Sequence, residues 1–531
     1  MKKISWPELR IKRNDFRFSK QHKYLPEASL IGWKESTAMF NIAWMQQLIP
    51  YLSGKKHPLG TRLFNIQKCI RTVDIDEVGD ASHQTFFEMM WNRSLWDYFK
   101  KDAIDWSREF LVDVLWFDPD KLAATVFEWD EGAPRDDQSA WYRKKYLPAN
   151  RIAYLPAKNN RWSPWPVWPC GPDTEIFYRV GSDPLPPQDS NPWNDEDNRL
   201  EVWNNVFMEY YRDETGKLSK LENQNVDTWM WFERMCKVLQ SKDSAYETDV
   251  FDYIISHIEK SLKIKYKTNE RRVRIMADHL RTSFFMIKDG INPSNEGRGY
   301  VLRRLIRRMY YNLISLQKIS QSDLQNFFTN IYGSIASNFD LQIDVQSIVD
   351  TIQKECIQFQ KTIDNWQKML NEILEKNSKT NLIDWKDAFK LYDTYGFPLE
   401  LTREIAQENW FQIDEDWFTK EMETQQERSR KWSKNKFTID VDRSKYLTWL
   451  PATKFIGYDI TSHCEEWNDT AILLKDFDVN RQRIVVFDQT PFYAESWWQT
   501  GDVWKIILDS WEILEVVSVK KYEWIFLHFV K

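Results

Sequence analysis

Residues 225–235 read NVDTWMWFERM. In an extended strand, residues two apart share a face. Trp229 and Trp231 therefore stand together beside Asp227, with Arg234 just behind. Two indoles, each able to bury roughly 150–250 Å², make a wall where a carboxylate and a guanidinium suggest a pocket. A second stretch, CIRTVDIDEVGDASHQTFFEMMWNRSLWDYFKK, places Arg71 on one strand, then a polar turn, then a His-x-x-x-Phe return strand. Such a hairpin suits a nucleotide. The planar fork of Arg71 can grip a phosphate, and Phe87 can offer a ring face to a purine. An arginine and a phenylalanine in a hairpin more often pack than bind, and a lone aspartate more often turns or caps a chain. Residue types alone leave both readings standing. A third stretch, GRGYVLRRLIRRMYY, has Arg303/Arg307 and Arg304/Arg308 as i, i+4 pairs on a helix, a positive edge that suits a phosphate backbone. An isolated run of this kind is more often a solvated face.

The elements that must hold these residues are legible in outline. Up to about residue 245, LAATVFEW and LEVWNNVFMEYYRD read as strands, KKDAIDWSREFLVDVL as a helix, and PAKNNRWSPWPVWPCGPDTE as a Pro-rich loop. Strands and helices without βαβ alternation predict an α+β fold with an antiparallel sheet. From about 246 to 445 the period is mostly helical: DVFDYIISHIEKSL, RRVRIMADHLRTSFFMI, YVLRRLIRRMYYNLISL and VQSIVDTIQKECIQFQKTIDNWQKMLNEILEK carry apolar residues at i, i+3, i+4 and i+7. After about 446, RIVVFDQTPFYAES, VWKIILDSWEILEVVSVKKY and IFLHFV read as strands. No internal repeat is present.

Composition narrows the class. A chain of 531 residues with 42% hydrophobic and 29% charged residues fits a soluble protein of several domains. No run of about 18 apolar residues predicts a membrane span, and MKKISWPELRIKRNDFRF lacks a secretory core. The five cysteines are scattered and predict reduced thiols in a cytoplasmic protein. A net charge of −6 confines any nucleic-acid surface to a local patch. One ratio is anomalous, with 28 Trp against only 15 Gly. Average usage would give about 37 glycines, so the tryptophan surplus nearly matches the glycine deficit.

Read in order, the motifs resemble the alanyl-tRNA synthetase family of class II aminoacyl-tRNA synthetases. TFFEM, N-x-S and DYFKK resemble its second signature motif, FNIAWMQQLIPYL its first and VDTWMWFERM its third. NRWSPWPVWPCGPDTEIFY resembles its P-C-G-P loop, and EVWNNVFMEYYRD its alanine-pocket strand. IKDGINPSNEGRGYVLRRLIRR and LYDTYGFPLELT resemble its tRNA-recognition domain, and TKFIGYD and TPFYAESWWQTGD the opening of its editing module. The resemblance implies a catalytic domain over 1–245 (the class II antiparallel sheet flanked by helices), an all-helical tRNA-recognition domain over 246–445, and a partial β-barrel over 446–531. Where the family has glycine, this chain has Trp44, Trp91, Trp96, Trp165, Trp168, Trp229, Trp231, Trp497, Trp498 and Trp504. Trp162 and Trp203 stand where the family itself has tryptophan, while Gly79, Gly171, Gly290, Gly299, Gly396 and Gly501 survive. Glycine serves positive φ and close approach, and overpacking costs about 1–3 kcal/mol per site. About twenty such sites would exceed a total stability of about 5–15 kcal/mol. This reading expects UGA codons that encode glycine but are written as Trp; a tryptophan-rich paralogue would instead have UGG.

The resemblance implies ATP-dependent ligation of L-alanine to tRNA(Ala) through an alanyl-adenylate, with Mg²⁺ on the phosphates. In it, Arg71 contacts the α-phosphate, and Arg234 lies near the γ-phosphate and the adenine face. Phe87 stacks the adenine beside Met89, and Asp74 matches an acidic residue of the motif-2 loop. Asp227 holds the alanine ammonium, and Trp162 and Val206 close around the methyl group with Asn204 beside them. Arg303, Arg304, Arg307 and Arg308 contact the tRNA acceptor stem, and Arg308 and Asp393 match positions implicated in reading its base pair. Gly297 stands where some members have an asparagine in that role. The chain reaches IFLHFVK before any H-x-x-x-H, and His463, Cys464 and His528 lack metal spacing. No zinc site, DNA partner or membrane partner is expected, and the chain reads as C-terminally incomplete or naturally short. The competing expectations are a non-catalytic tRNA-binding paralogue with an occluded site and an unrelated ATP-dependent ligase.

Overall fold

The first helix starts where its cap dictates. Ser5 accepts from the Glu8 amide while the Glu8 carboxylate accepts from the Ser5 amide, and Pro7 fills the first turn. Helix α1 (Trp6–Ser19) is followed by β1 (Lys23–Tyr24), the short α2 (Ile49–Leu52), β2 (Arg62–Ile70), β3 (Phe86–Leu95) and α3 (Lys100–Glu109). Next come β4 (Leu122–Phe127), α4 (Asp137–Arg143), β5 (Ile152–Leu155), α5 (Ala157–Asn160), β6 (Arg161–Trp162) and β7 (Trp168–Arg179). The hairpin of β8 (Arg199–Arg212) and β9 (Leu218–Trp231) closes the set. Asp213 makes its turn by accepting from the Thr215 and Lys217 amides, and Gly216 supplies φ +83°.

These strands form one sheet in the order β1-β2-β3-β9-β8-β7-β4-β5, with β6 against β7. The sequence predicts an antiparallel sheet. The centre is antiparallel, but the end pairs β1–β2 and β4–β5 are parallel. The Pro-rich stretch read as a loop is a strand from Trp168 onward. Its prolines are tolerated because the register shifts between Cys170 and Asp173, which frees the ladder positions a proline cannot fill. Gly171 lies in that bulge, where a Cβ would stand 1.8 Å from the Phe207 carbonyl oxygen.

Helices follow: α6 (Phe232–Leu239), α7 (Asp249–Leu262), α8 (Glu270–Lys288), α9 (Gly297–Leu316), α10 (Gln321–Asn338) and α11 (Val345–Asn377). Four match the periodic segments read above. Helix α10, not singled out from the sequence, buries Leu324, Phe327, Phe328, Ile331, Tyr332 and Ile335. Two strand pairs, β10 (Leu382–Ile383) with β11 (Gln412–Ile413) and β12 (Lys454–Phe455) with β15 (Gln489–Thr490), are parallel. The remaining strands, β13 (Leu473–Val479), β14 (Gln482–Phe487), β16 (Lys505–Ile507), β17 (Ile513–Tyr522) and β18 (Ile525–Val530), form a five-stranded antiparallel sheet in the order β13-β14-β18-β17-β16.

This computed structural model describes residues 3–31, 39–42, 48–52, 54–73, 75–163, 168–180, 186–295, 297–377, 382–383 and 412–413. Further on it describes 447, 450–455, 471–479, 482–490, 492, 505–508, 510, 512–522 and 525–531. Asp74, Asp393, His463 and Cys464 lie outside the described residues, as do Trp44, Trp165, Trp497, Trp498 and Trp504. The chain divides into two units, Met1–Ile413 and Asp414–Lys531. Cys69, Cys170, Cys236 and Cys356 are buried free thiols. No helix among the described residues is long and apolar enough to cross a membrane.

Two tryptophans have a left-handed backbone: Trp96 at φ +62° and Trp116 at φ +58°. That region costs an L-residue roughly 1–2 kcal/mol and is an outlier for a bulky side chain. The Trp96 indole N–H is also buried without a hydrogen-bond acceptor among the described residues.

Candidate active site

Strand pairing collects the site on one sheet face. Across β2, β3 and β9, Cys69 faces Phe87, Gln67 faces Met89, Met89 faces Trp231, Trp91 faces Trp229 and Arg93 faces Asp227. Across β9, β8 and β7, Val206 faces Asp227, Asn204 faces Trp229, Asp173 faces Val206 and Glu175 faces Asn204. The two-residue side-chain period therefore puts Phe87, Met89, Asn204, Val206 and Asp227 on the same surface.

At one end of this face the Trp231 indole lies flat on Phe87, with ring centroids 4.2 Å apart and planes at 13°. The Arg71 guanidinium stands 5.0 Å from the indole and 5.1 Å from the Phe87 ring, and the Arg234 guanidinium stands 4.5 Å from the indole. Arg71 continues β2, its amide donating to the Thr85 carbonyl at 3.0 Å. Arg234 lies in the first turn of α6, which is anchored by its neighbour Glu233. Arg281 of α8 forms an ion pair with Glu233 at 2.7 Å, and the Glu88 amide donates to the same carboxylate. Arg234 itself donates to the Glu201 carboxylate at 2.9 Å and to the Glu201 carbonyl at 3.1 Å. A flat bicyclic ring between a phenyl face and two guanidiniums has the surroundings that a purine with phosphates would need.

The other end of the face is apolar. Trp162, Trp168 and Trp229 pack on a buried cluster that includes Leu48, Leu63, Trp91 and Val206. Of these four indoles only Trp162 is expected from the sequence to stand at a true tryptophan position. Asp227 is buried and takes a bidentate ion pair from Arg93, at 2.8 and 3.1 Å. Burial pushes the Asp227 carboxyl above its usual range against the pull of Arg93, and burial likewise lowers the Arg93 guanidinium. Sequence reasoning missed Arg93; the signal was available as an opposite charge directly across the β3–β9 register.

Asn204 does not line the cluster with a free amide. It donates to Asp173 at 2.9 Å and to Glu175 at 3.2 Å. Burial first, and Glu201 after it, pushes the Asp173 carboxyl up to about 8. Burial, then Glu201 and Asp173, pushes Glu175 up to about 9. Among the described residues no three His, Cys, Asp or Glu side chains are grouped to hold a metal ion.

The open positive edge expected on α9 needs correction. Arg303 and Arg307 both bond Glu355 of α11, at 3.3 and 2.8 Å. Arg304 pairs with Asp76, and Arg308 is only 2% exposed, its guanidinium on backbone carbonyls. Helical periodicity shows which arginines share a face but not which acidic residue or loop the fold brings against them.

The family model for tRNA synthetases class II (A) matches residues 8–531. The chain belongs to this family. It is 39% identical to the alanine–tRNA ligase of Thermotoga petrophila over 550 aligned positions, covering 100% of the chain and 62% of that relative. It is 37% identical to the alanine–tRNA ligase of Petrotoga mobilis, covering 98% of the chain and 60% of that relative. For the Cytophaga hutchinsonii alanine–tRNA ligase the identity is 36%, with 97% and 60% covered. The chain thus spans about three fifths of the length of the curated relatives it matches. The α+β architecture, a mixed sheet with helices, is that of a class II synthetase.

Proposed function

We propose that this chain carries the aminoacylation part of an alanine–tRNA ligase, joining L-alanine to tRNA(Ala) at the expense of ATP. The observation that carries this reading is the slot between Phe87, Arg71 and Arg234, filled by the Trp231 indole. In the working protein position 231 is glycine and adenine takes the indole's place. Arg71 then reaches the α-phosphate and Arg234 the far end of the triphosphate, with Met89 beside the ring and Asp74 in the loop. Mg²⁺ enters with ATP as the counter-ion of its phosphates, and no protein zinc site takes part in this step.

In the first step a carboxylate oxygen of alanine attacks the α-phosphorus, the bond to the bridging oxygen breaks, and pyrophosphate leaves. Fixed guanidiniums at developing phosphoryl charge are the most effective aid. Asp227 receives the alanine ammonium, sharing its carboxylate with Arg93. Trp162, Val206 and Asn204 bound the methyl group once glycine stands at 91, 168 and 229. In the second step the terminal ribose hydroxyl of tRNA(Ala) attacks the adenylate carbonyl and AMP leaves. Residues 1–245 serve as the catalytic domain and 246–445 as the helical tRNA-recognition domain with Asp393. Residues 446–531 form the start of an editing barrel, and the enzyme works in the cytoplasm without DNA or membrane partners. Arg303, Arg304 and Arg307 reach the acceptor stem only by exchanging their carboxylate partners.

The test is alanine-dependent exchange of pyrophosphate into ATP by protein made with glycine at the family glycine positions. Folded protein of that kind that exchanges nothing refutes the assignment. Mass spectrometry of the peptide carrying positions 229 and 231, taken from the native host, decides which residue stands there.

A further inference from the structure

In the hairpin loop of residues 71–85 the Arg71 amide donates to the Thr85 carbonyl at its base, and beyond that pair side chains from distant elements take a large share of the hold. These elements follow far later in the chain. Arg308 of α9 donates from Nη1 to the Ile75 carbonyl at 2.5 Å, and from Nη2 to the Val78 carbonyl at 3.1 Å and the Asp76 carbonyl at 3.4 Å. The same Nη1 lies 3.4 Å from Nε2 of His279, whose Nδ1 is 2.8 Å from the Asp278 carboxylate. That carboxylate accepts from the Thr85 amide at 2.8 Å. Arg304 pairs with the Asp76 side chain. From the turn before α7, Ser244 Oγ donates to the Ala81 carbonyl at 2.9 Å and Tyr246 Oη to the His83 carbonyl at 2.7 Å. Gly79, at φ +124°, lets Arg271 and Ile275 of α8 close against the backbone, where a Cβ would meet them at 2.9–3.1 Å.

We propose that Arg308 is a positioning residue for ATP, its guanidinium gathering the Ile75, Asp76 and Val78 carbonyls so that the loop presents Arg71 to the nucleotide. Ile75 is 1% and Val78 0% exposed, so their carbonyls have little access to water; the Ile75 carbonyl also accepts from the Val78 amide at 3.3 Å, and the guanidinium supplies the remaining partners. A planar five-donor fork is the side chain suited to three converging carbonyls; a lysine supplies one point charge and no fork. This assigns Arg308 to adenylate formation, before any RNA is present, rather than to reading a base pair. The inference rests on the proposed ATP site.

The experiment compares Arg308→Gln, Arg308→Lys and Arg304→Gln with their parent, all with glycine at the family glycine positions, in alanine-dependent pyrophosphate exchange without tRNA. Arg308→Gln is expected to raise the KM for ATP about tenfold or more with the KM for alanine unchanged. Arg308→Lys should restore part of the loss, and Arg304→Gln, at a more exposed pair, should show a smaller rise. Normal exchange with impaired tRNA charging would overturn the proposal in favour of a base-reading role. A lowered kcat with unchanged KM for ATP would overturn it in favour of general scaffolding. An inactive parent would count against the ATP site itself, and a second measurement keeps the two separate. In the indole-bearing chain, Arg308→Gln or Arg304→Gln should speed amide hydrogen exchange over residues 75–80 and not in β3. Unchanged exchange in the loop would sink the clamp whatever the activity shows.

Discussion

Trp231→Gly tests the central claim with one substitution. In the indole-bearing chain an incoming adenine must displace a ring stacked at 4.2 Å on Phe87 and flanked by guanidiniums at 4.5 and 5.0 Å. A stacked aromatic pair contributes about 0.5–1.5 kcal/mol beyond burial, and each cation–π contact at a half-exposed site about 0.5–1 kcal/mol. The competition thus costs ATP about 1.5–3.5 kcal/mol, or ten- to three-hundredfold in Kd. We expect Trp231→Gly to tighten ATP by that factor in a calorimetric titration with Mg²⁺ present, while Trp203→Phe, in the core on the other side of the sheet, changes nothing. The substitution also removes a large aromatic side chain, a loss of roughly 3–5 kcal/mol of stability when fully buried. Folding must therefore be confirmed by circular dichroism at the titration temperature. A folded Trp231→Gly protein that binds ATP no better than its parent would refute the view that the indole stands where the purine belongs.

Other outcomes follow from the same geometry. Trp116→Gly should relieve roughly 1–2 kcal/mol of left-handed backbone strain at this 42%-exposed residue, offset by about 0.5–1 kcal/mol for the lost Lys12 contact at 4.5 Å, so urea unfolding should show no loss of stability. Asp227→Asn should cost about 3–5 kcal/mol by stranding the buried Arg93 charge, and Asp227→Leu with Arg93→Met should cost less; equal costs would mean the ion pair is not the source. Asp173 and Glu175 have folded-state values near 8 and 9, above the ordinary carboxylate range. Their contribution is therefore fully present at low pH, below that ordinary range, and is lost as pH rises through 8 to 9. Stability should therefore fall progressively as pH rises from about 5 to 9, and Asp173→Asn with Glu175→Gln should flatten the profile.

What the sequence made legible was local. The period of two in β8 and β9, the helical period of α7, α8, α9 and α11, and the motif containing Arg71 and Phe87 all come from neighbours within a few residues. What it hid was the partner across the fold. Arg93 meets Asp227 over 134 positions, and Arg308 meets the Ile75 carbonyl over 233. Either arginine alone looks like a solvated charge or a ligand grip, and only strand register or helix packing decides between them. The Pro-rich stretch misled for a related reason. Pro169 and Pro172 argue against a strand until the bulge between Cys170 and Asp173 is known, and the bulge depends on the close approach of Gly171 to Phe207.

The pattern of kept and replaced glycines bears on cause. Selection acting on structure would spare positions where a side chain is impossible and accept tryptophan where there is room. Gly171, with no space for a Cβ, is kept, as such selection requires. Gly333 of α10, whose Cβ position meets nothing within 4 Å and whose φ is not left-handed, is also glycine. Trp96 occupies left-handed backbone that favours glycine, and Trp229 and Trp231 pack on the sheet face that carries Phe87, Met89 and Val206. Replacement follows neither space nor backbone angle, and its product is always the same residue. A codon read in two ways is blind to both, since synonymous glycine codons fall without regard to packing. The same argument makes the indoles of the site substitutes for empty space. Stripping them, with every polar side chain on the sheet face left in place, should convert a closed surface into one that takes a nucleotide.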